Sequence, residues 1–163
     1  MKKIIVYYSL EGNTQYIADK LSDALGAGKL RLIPEKAYAD KGFAKFFCGG
    51  KSAVMAEKPA LKPYALDADF EEIIIGFPVW AGNITPPIRT FVSENKELLK
   101  GRRISAFACQ SGSGAEKAFG KLRLNHKTCG IWDSGHSSSG SCLTASGRSI
   151  HHPDSRTPVC EES

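Results

Sequence analysis

The chain has 163 residues, 42% hydrophobic and 24% charged, with a formal net charge of +5. That length suits one domain with a single sizeable core, and the composition is that of a soluble globular protein. No run approaches the roughly 18 apolar residues of a membrane span. The basic excess favours an acidic partner or nonspecific nucleic-acid contact. However, only Lys2-Lys3 and Arg102-Arg103 are adjacent, so a dispersed solvated surface is the expectation and no specific nucleic-acid partner. Five irregularly spaced cysteines with no CxxC read as reduced thiols. The apolar run after Lys2-Lys3 is too short for a signal peptide and leads into a glycine turn. The expected location is the cytoplasm.

In chain order, Lys3–Tyr8 (KIIVYY) is a β-branched and aromatic run that suits a strand buried on both faces. A turn at Ser9–Thr14 precedes a helix at Gln15–Leu25, with Ile17, Ala18, Leu21, Ala24 and Leu25 at helical spacing. Gly26 and Gly28 close it. Lys29–Ile33 is a short strand ended by Pro34, and Ala39–Met55 reads as a helix broken at Gly49-Gly50. Pro59 and Pro63 mark a loop, Glu72–Phe77 (EIIIGF) is a buried strand, and Pro78–Pro87 is a long loop. Ile88–Leu99 reads as a helix, Arg103–Ala108 as a strand, Cys109–Gly114 as a Gly/Ser loop, and Ala115–Leu122 as the start of a helix. Strands alternating with helices predict an α/β fold, a parallel sheet with helices on both faces. The polar loops that follow strands then gather at one edge of the sheet, where such folds bind ligands.

The turn Ser9-Leu10-Glu11-Gly12-Asn13-Thr14 has what a phosphate needs. A helix N-terminus offers unpaired N–H groups and a favourable dipole. Ser9 and Thr14 offer hydroxyls, Asn13 an amide, and Gly12 lets backbone approach. The alternative is a plain strand–helix turn with Thr14 as N-cap. With no lysine, the loop does not suit a triphosphate with magnesium. In the second loop, Trp80 either stacks on a flat ligand or fills core space beneath the loop.

The stretch Ile5–Leu21 (IVYYSLEGNTQYIADKL) resembles the flavodoxin signature from end to end, meeting its constrained positions at Ile5, Val6, Tyr7, Ser9, Gly12, Thr14, Ala18 and Leu21. The run PVWAGNITPPIRTF resembles the first flavin-flanking loop of short-chain flavodoxin-like proteins. Cys109–Gly114 (CQSGSG) resembles the loop that meets the pyrimidine end of the flavin. The resemblance implies a flavodoxin-like doubly wound parallel sheet and FMN as cofactor. It implies Ser9, Glu11, Gly12, Asn13 and Thr14 around the phosphate, and Trp80 stacking on the ring. It also implies Pro78, Val79, Gly82, Asn83, Cys109, Gln110, Ser111, Gly112 and Gly114 beside the ring. No catalytic acid or base is needed for electron shuttling.

Two functions stay open under that resemblance. One is an electron carrier with a redox partner protein. The other is an NAD(P)H-dependent FMN oxidoreductase acting on quinone-type acceptors. Carrier flavodoxins tend to be acidic, and a pI near 9.0 departs from that pattern. A flavin-free binding module is a third possibility. Cys109 reads as a small buried thiol rather than a nucleophile. Gly49-Gly50-Lys51-Ser52 is a poor P-loop, with Lys45 where a glycine belongs.

The resemblance covers about residues 2–122. Residues 123–163 form an atypical Ser/Gly-rich tail with all four histidines and no recognisable fifth strand or last helix. Its expected state is poorly ordered. A shifted reading frame or a divergent replacement each explains so abrupt a change. Cys129, His136, Cys142, His151, His152 and Cys160 lack the short paired spacings of zinc ligands, so no metal is expected.

Overall fold

A computed structural model describes residues 2–38, 51, 53–66, 68–110, 112–125 and 142–144. Its strands are β1 (Lys3–Tyr7), β2 (Gly28–Arg31), β3 (Glu72–Pro78), β4 (Arg103–Cys109) and β5 (Cys142–Thr144). Its helices are α1 (Asn13–Leu25), α2 (Pro86–Glu94), α3 (Lys96–Leu99) and α4 (Ala115–Asn125). The sheet order is β2-β1-β3-β4-β5, with β1 to β4 mutually parallel. This is the doubly wound α/β arrangement expected from alternating strands and helices.

The strand runs explain their own positions. In β3 every residue from Glu72 to Phe77 is buried, as an Ile-rich central strand between two helical layers must be. β2 (GKLR) is polar and exposed, which suits the sheet edge. On one face, Val6, Ile73, Ile75, Phe77, Ile104 and Ala106 pack with Ile88 and Phe91 of α2 and Ala118 and Leu122 of α4. On the other, Ile5, Tyr7, Ile74 and Phe107 pack with Ile17 and Ala18 of α1. Fully burying one such isoleucine contributes about 1.5–3 kcal/mol.

Several boundaries differ from the sequence pattern. α1 starts two residues early, at Asn13, because Gly12 turns the chain into the helix with φ 96°. α2 starts at Pro86, since a proline in the first turn has no needed N–H to lose. The single helix expected over Ile88–Leu99 is two helices divided at Asn95. There the Asn95 side chain donates to the Phe91 carbonyl at 2.9 Å and to the Tyr64 hydroxyl at 2.8 Å. Of the helix expected over Ala39–Met55, residues 39–50 and 52 lie outside the described residues, and Lys51, Ala53 and Val54 are helical.

A fifth strand exists although no run in the sequence marks it. β5 pairs with β4 antiparallel, Cys142 opposite Cys109 and Thr144 opposite Phe107. Three residues are too few for a hydrophobic period to register. Pairing with the edge of β4 creates this strand, not its own composition. α4 continues to Asn125, past the end of the recognised pattern at Leu122. The remaining tail residues lie outside the described residues. No described helix is long and apolar enough to cross a membrane.

Candidate functional site

The site lies at the carboxyl edge of the sheet, where β1 and β3 lead their chains into loops and the strand order reverses. The Tyr8 N–H donates to the Gly76 carbonyl at 3.0 Å, carrying the β1 pairing to the mouth of the first loop. Ser9 is buried, and its Oγ accepts the Gly12 N–H at 3.1 Å. Gly12 is the N-cap residue of α1, and no side chain caps that helix. The alternative with Thr14 as N-cap is therefore overturned: Thr14 lies inside the first turn and is buried. Gly12 has no side chain to cap the opening amides of α1, which carry the positive end of the helix dipole. Glu11 and Asn13 are exposed on the rim of this turn. A Cβ at Gly12 would touch nothing within 4 Å, so the positive φ, not crowding, selects glycine there.

The second loop is a reciprocal turn. Trp80 N–H donates to the Asn83 carbonyl at 3.2 Å and Asn83 N–H to the Trp80 carbonyl at 2.9 Å. Ala81 and Gly82 between them have φ 50° and 67°, the signature of a type I′ turn. Asn83 is buried and braces the turn: its Nδ2 donates to the Ala81 carbonyl at 2.8 Å, and its Oδ1 accepts from Lys121 of α4. Trp80 is half-buried and packs against the core beneath the loop. Its ring meets Tyr8 at 5.7 Å and Tyr38 at 5.1 Å, both edge to face. Burial, with the Tyr38 phenol adjacent, pushes the Tyr8 hydroxyl well above the ordinary tyrosine range and keeps it neutral.

The third loop is held against the second. The Val79 N–H donates to the Cys109 carbonyl at 2.8 Å. Gly114, with φ 110°, presses on Gly82: a Cβ there would lie 2.9 Å from the Gly82 Cα. The Gln110 side chain accepts the Ala115 N–H at 2.9 Å and so anchors the start of α4. Cys109 is buried at the end of β4, and Gly112 is exposed. Pro78 and Val79 are half-buried where β3 ends. Ser111 lies outside the described residues.

The loops expected to act together thus meet at one edge, through Tyr8–Trp80 on one side and Gly82–Gly114 on the other. The structure adds groups that the sequence did not single out for the site. Arg31, at the end of β2, donates to the Ser9 carbonyl at 3.3 Å and to Gln15 Oε1 at 2.8 Å. Tyr8 and Tyr38 complete the aromatic cluster with Trp80, and Lys121 fastens Asn83. Only the sheet register, with Tyr7 opposite Arg31, brings residue 31 to the first loop. No sequence spacing signals it.

A family model described as Flavodoxin matches residues 2–145. A Lactobacillus acidophilus NCFM flavoprotein solved in complex with FMN is similar, at 19% identity and TM-score 0.69, over 80% of this chain and 91% of its own. A Bacteroides eggerthii DSM 20697 protein described as a flavoprotein is similar at 22% identity and TM-score 0.68, over 80% and 84% of the two chains. An Agrobacterium tumefaciens flavodoxin, WrbA-like protein, reaches TM-score 0.55 at 16% identity, over 82% and 76%. At these identities the likeness is one of fold.

Proposed function

The chain belongs to the flavodoxin family, and we propose that this member holds FMN noncovalently and passes electrons through it. The observation that carries the reading is the uncapped start of α1 beside the convergent Trp80 and Gly114 loops. FMN is a dianionic phosphate at one end and a flat aromatic ring at the other. The residues present fit both ends. The amides after Gly12, with the neighbouring Ser9 and Thr14, suit the phosphate. Trp80, fixed edgewise by Tyr8 and Tyr38, suits the ring. Glycines at 82 and 114 bring two backbones into contact and leave no side chain between them.

Bound FMN supplies one- and two-electron redox chemistry; the protein tunes its potential and access. Trp80 and the Asn83-braced turn would shield one side of the bound ring from water. Gln110 keeps its loop in place by anchoring α4 and holds no proton for transfer. Purified protein should show the flavin visible spectrum and bind FMN at micromolar concentration or tighter. A protein that takes up no FMN at micromolar concentrations would sink this reading.

The physiological role has two versions. Reduction by a separate protein makes it a carrier, and reduction by NAD(P)H with a small quinone-type acceptor makes it an oxidoreductase. The basic balance, pI near 9.0, favours the second, because it disfavours the acidic docking surface of a carrier. Steady NAD(P)H consumption by the holoprotein with a quinone selects the enzyme. Activity only with an added reductase selects the carrier. Cytoplasmic placement, supported by the cysteine spacing, is part of the same proposal.

A further inference from the structure

Among the described residues, two charged side chains are more than nine-tenths buried: Glu72 at 7% exposure and Arg89 at 8%. Their surroundings are opposite. Glu72 is compensated twice: Lys3 Nζ lies 3.1 Å from one carboxylate oxygen, and the Ser105 hydroxyl donates to the other at 2.9 Å. Arg89, on α2, pairs with no carboxylate among the described residues. Its Nη2 donates to the Ala53 carbonyl at a long 3.4 Å, and its Nε–H meets no acceptor. Burial alone lowers its pKa, with no acid nearby to offset the effect. A guanidinium stays charged even so.

A second buried polar group lies beside it. Thr85, the N-cap residue of α2, is fully buried, and its Oγ1 has no hydrogen-bond partner. A threonine at this position ordinarily accepts the N–H of the second or third helical residue. Here the second is Pro87, which has none, and the hydroxyl makes no capping bond. Positions four apart share a helix face. The Thr85 hydroxyl and the Arg89 Nε–H are thus two buried donors on one side of the start of α2. Water would satisfy the hydroxyl but leave a desolvated charge uncompensated, which is the costlier of the two. We infer that Thr85 and Arg89 form a binding site for a small monovalent anion, either chloride or a carboxylate. Burial limits the ligand to a small group, and one guanidinium matches one negative charge. α2 and α1 lie on opposite faces of the sheet, so this site is separate from the Ser9–Thr14 turn. The inference does not rest on the FMN reading. Because Asn83 is two residues before Thr85, the anion would fasten the ring-side turn to the segment carrying Ala53.

The test is thermal unfolding of the full-length protein as chloride replaces a bulky organic sulfonate at constant ionic strength. Above half-saturation, each tenfold rise in chloride should raise Tm by about 3–5 °C. The same series with acetate distinguishes the sources. A response to acetate as well marks a site for carboxylates, and a response to chloride alone marks a halide site; either upholds the inference. Arg89→Met removes the charge and keeps most of the side-chain length. It should abolish the response while unfolding no earlier than the wild type in the sulfonate buffer. Thr85→Val should weaken the anion severalfold. Crystals grown in bromide should show an anomalous peak beside the Arg89 guanidinium. A Tm indifferent to both anions overturns the inference. An undiminished response in Arg89→Met also overturns it, because the anion then acts elsewhere. So does a water alone beside Arg89 in the bromide crystals.

Discussion

The phosphate-side loop and the ring-side loops are built by opposite means. Ser9–Thr14 is mainly a local device: one strand end, one glycine at positive φ and one hydrogen bond across three residues, with a single long-range contact from Arg31 to the Ser9 carbonyl. The Trp80 and Gly114 loops are held from far along the chain. Asn83 is fastened by Lys121, Val79 by Cys109, and Gly82 lies against Gly114. Beneath them Gly76 of β3 makes room for the Phe107 ring of β4. A loop made locally tolerates change with small, additive losses. A loop made by mutual contact loses stability and binding together when one contact fails.

The largest expected effect breaks the ring side at its base. In Gly76→Ala the new methyl would lie 2.2 Å from Phe107 Cζ. Both residues are held in paired central strands, so neither moves freely. Urea unfolding should show a loss of about 3 kcal/mol, the upper part of the overpacking range. Gly114→Ala comes next. It meets the Gly82 backbone and carries a strained φ, so a loss of about 2 kcal/mol is expected. Because the same contact shapes the site, FMN affinity should fall in parallel with stability. An unfolding curve that shifts with unchanged FMN affinity would separate the loops from the ring site.

The phosphate side should yield less. Gly12→Ala meets no neighbour within 4 Å and bears only its φ of 96°, so roughly 1 kcal/mol of stability is expected. Ser9→Ala removes a single hydrogen bond to Gly12 N–H, worth about 0.5–1.5 kcal/mol. Thermal unfolding of these variants beside Gly114→Ala ranks the two sides directly. If Gly12→Ala costs more than Gly114→Ala, the distinction between local and mutual construction is wrong.

The smallest effect at neutral pH concerns Tyr8, which links the sides through Trp80. Its hydroxyl is raised above the ordinary value of 10.0 in the folded protein, chiefly by burial. The unfolded chain therefore loses this proton first as pH rises. The contribution is complete below about pH 10 and is lost above it, toward the folded value. Tyr8→Phe should leave the pH 7 stability nearly unchanged and flatten the alkaline decline seen by chemical denaturation.

Much of this organisation was legible in the residues. KIIVYY and EIIIGF are dense enough in β-branched and aromatic side chains to mark buried strands, and RISAFA is marked by its small and apolar residues between turn signals. The Ser9–Thr14 turn was legible because its chemistry is local. Other features were not. Phe107 over Gly76, the aromatic cluster around Trp80 and the break at Asn95 depend on partners many residues away. β5 is shorter than any pattern and runs against its neighbour, so it exists only as a complement to the edge of β4.

The sequence by itself determined the alternation of elements, the phosphate-type turn and the family resemblance. Each rests on residues close enough in the chain for period and spacing to act. Tertiary structure alone decided the rest: that β2 lies beside β1 in a register setting Arg31 against the Ser9 loop, and that Gly82 meets Gly114. Strand order and register arise from burying both sheet faces at once. That is a property of the assembled core, which no short segment carries.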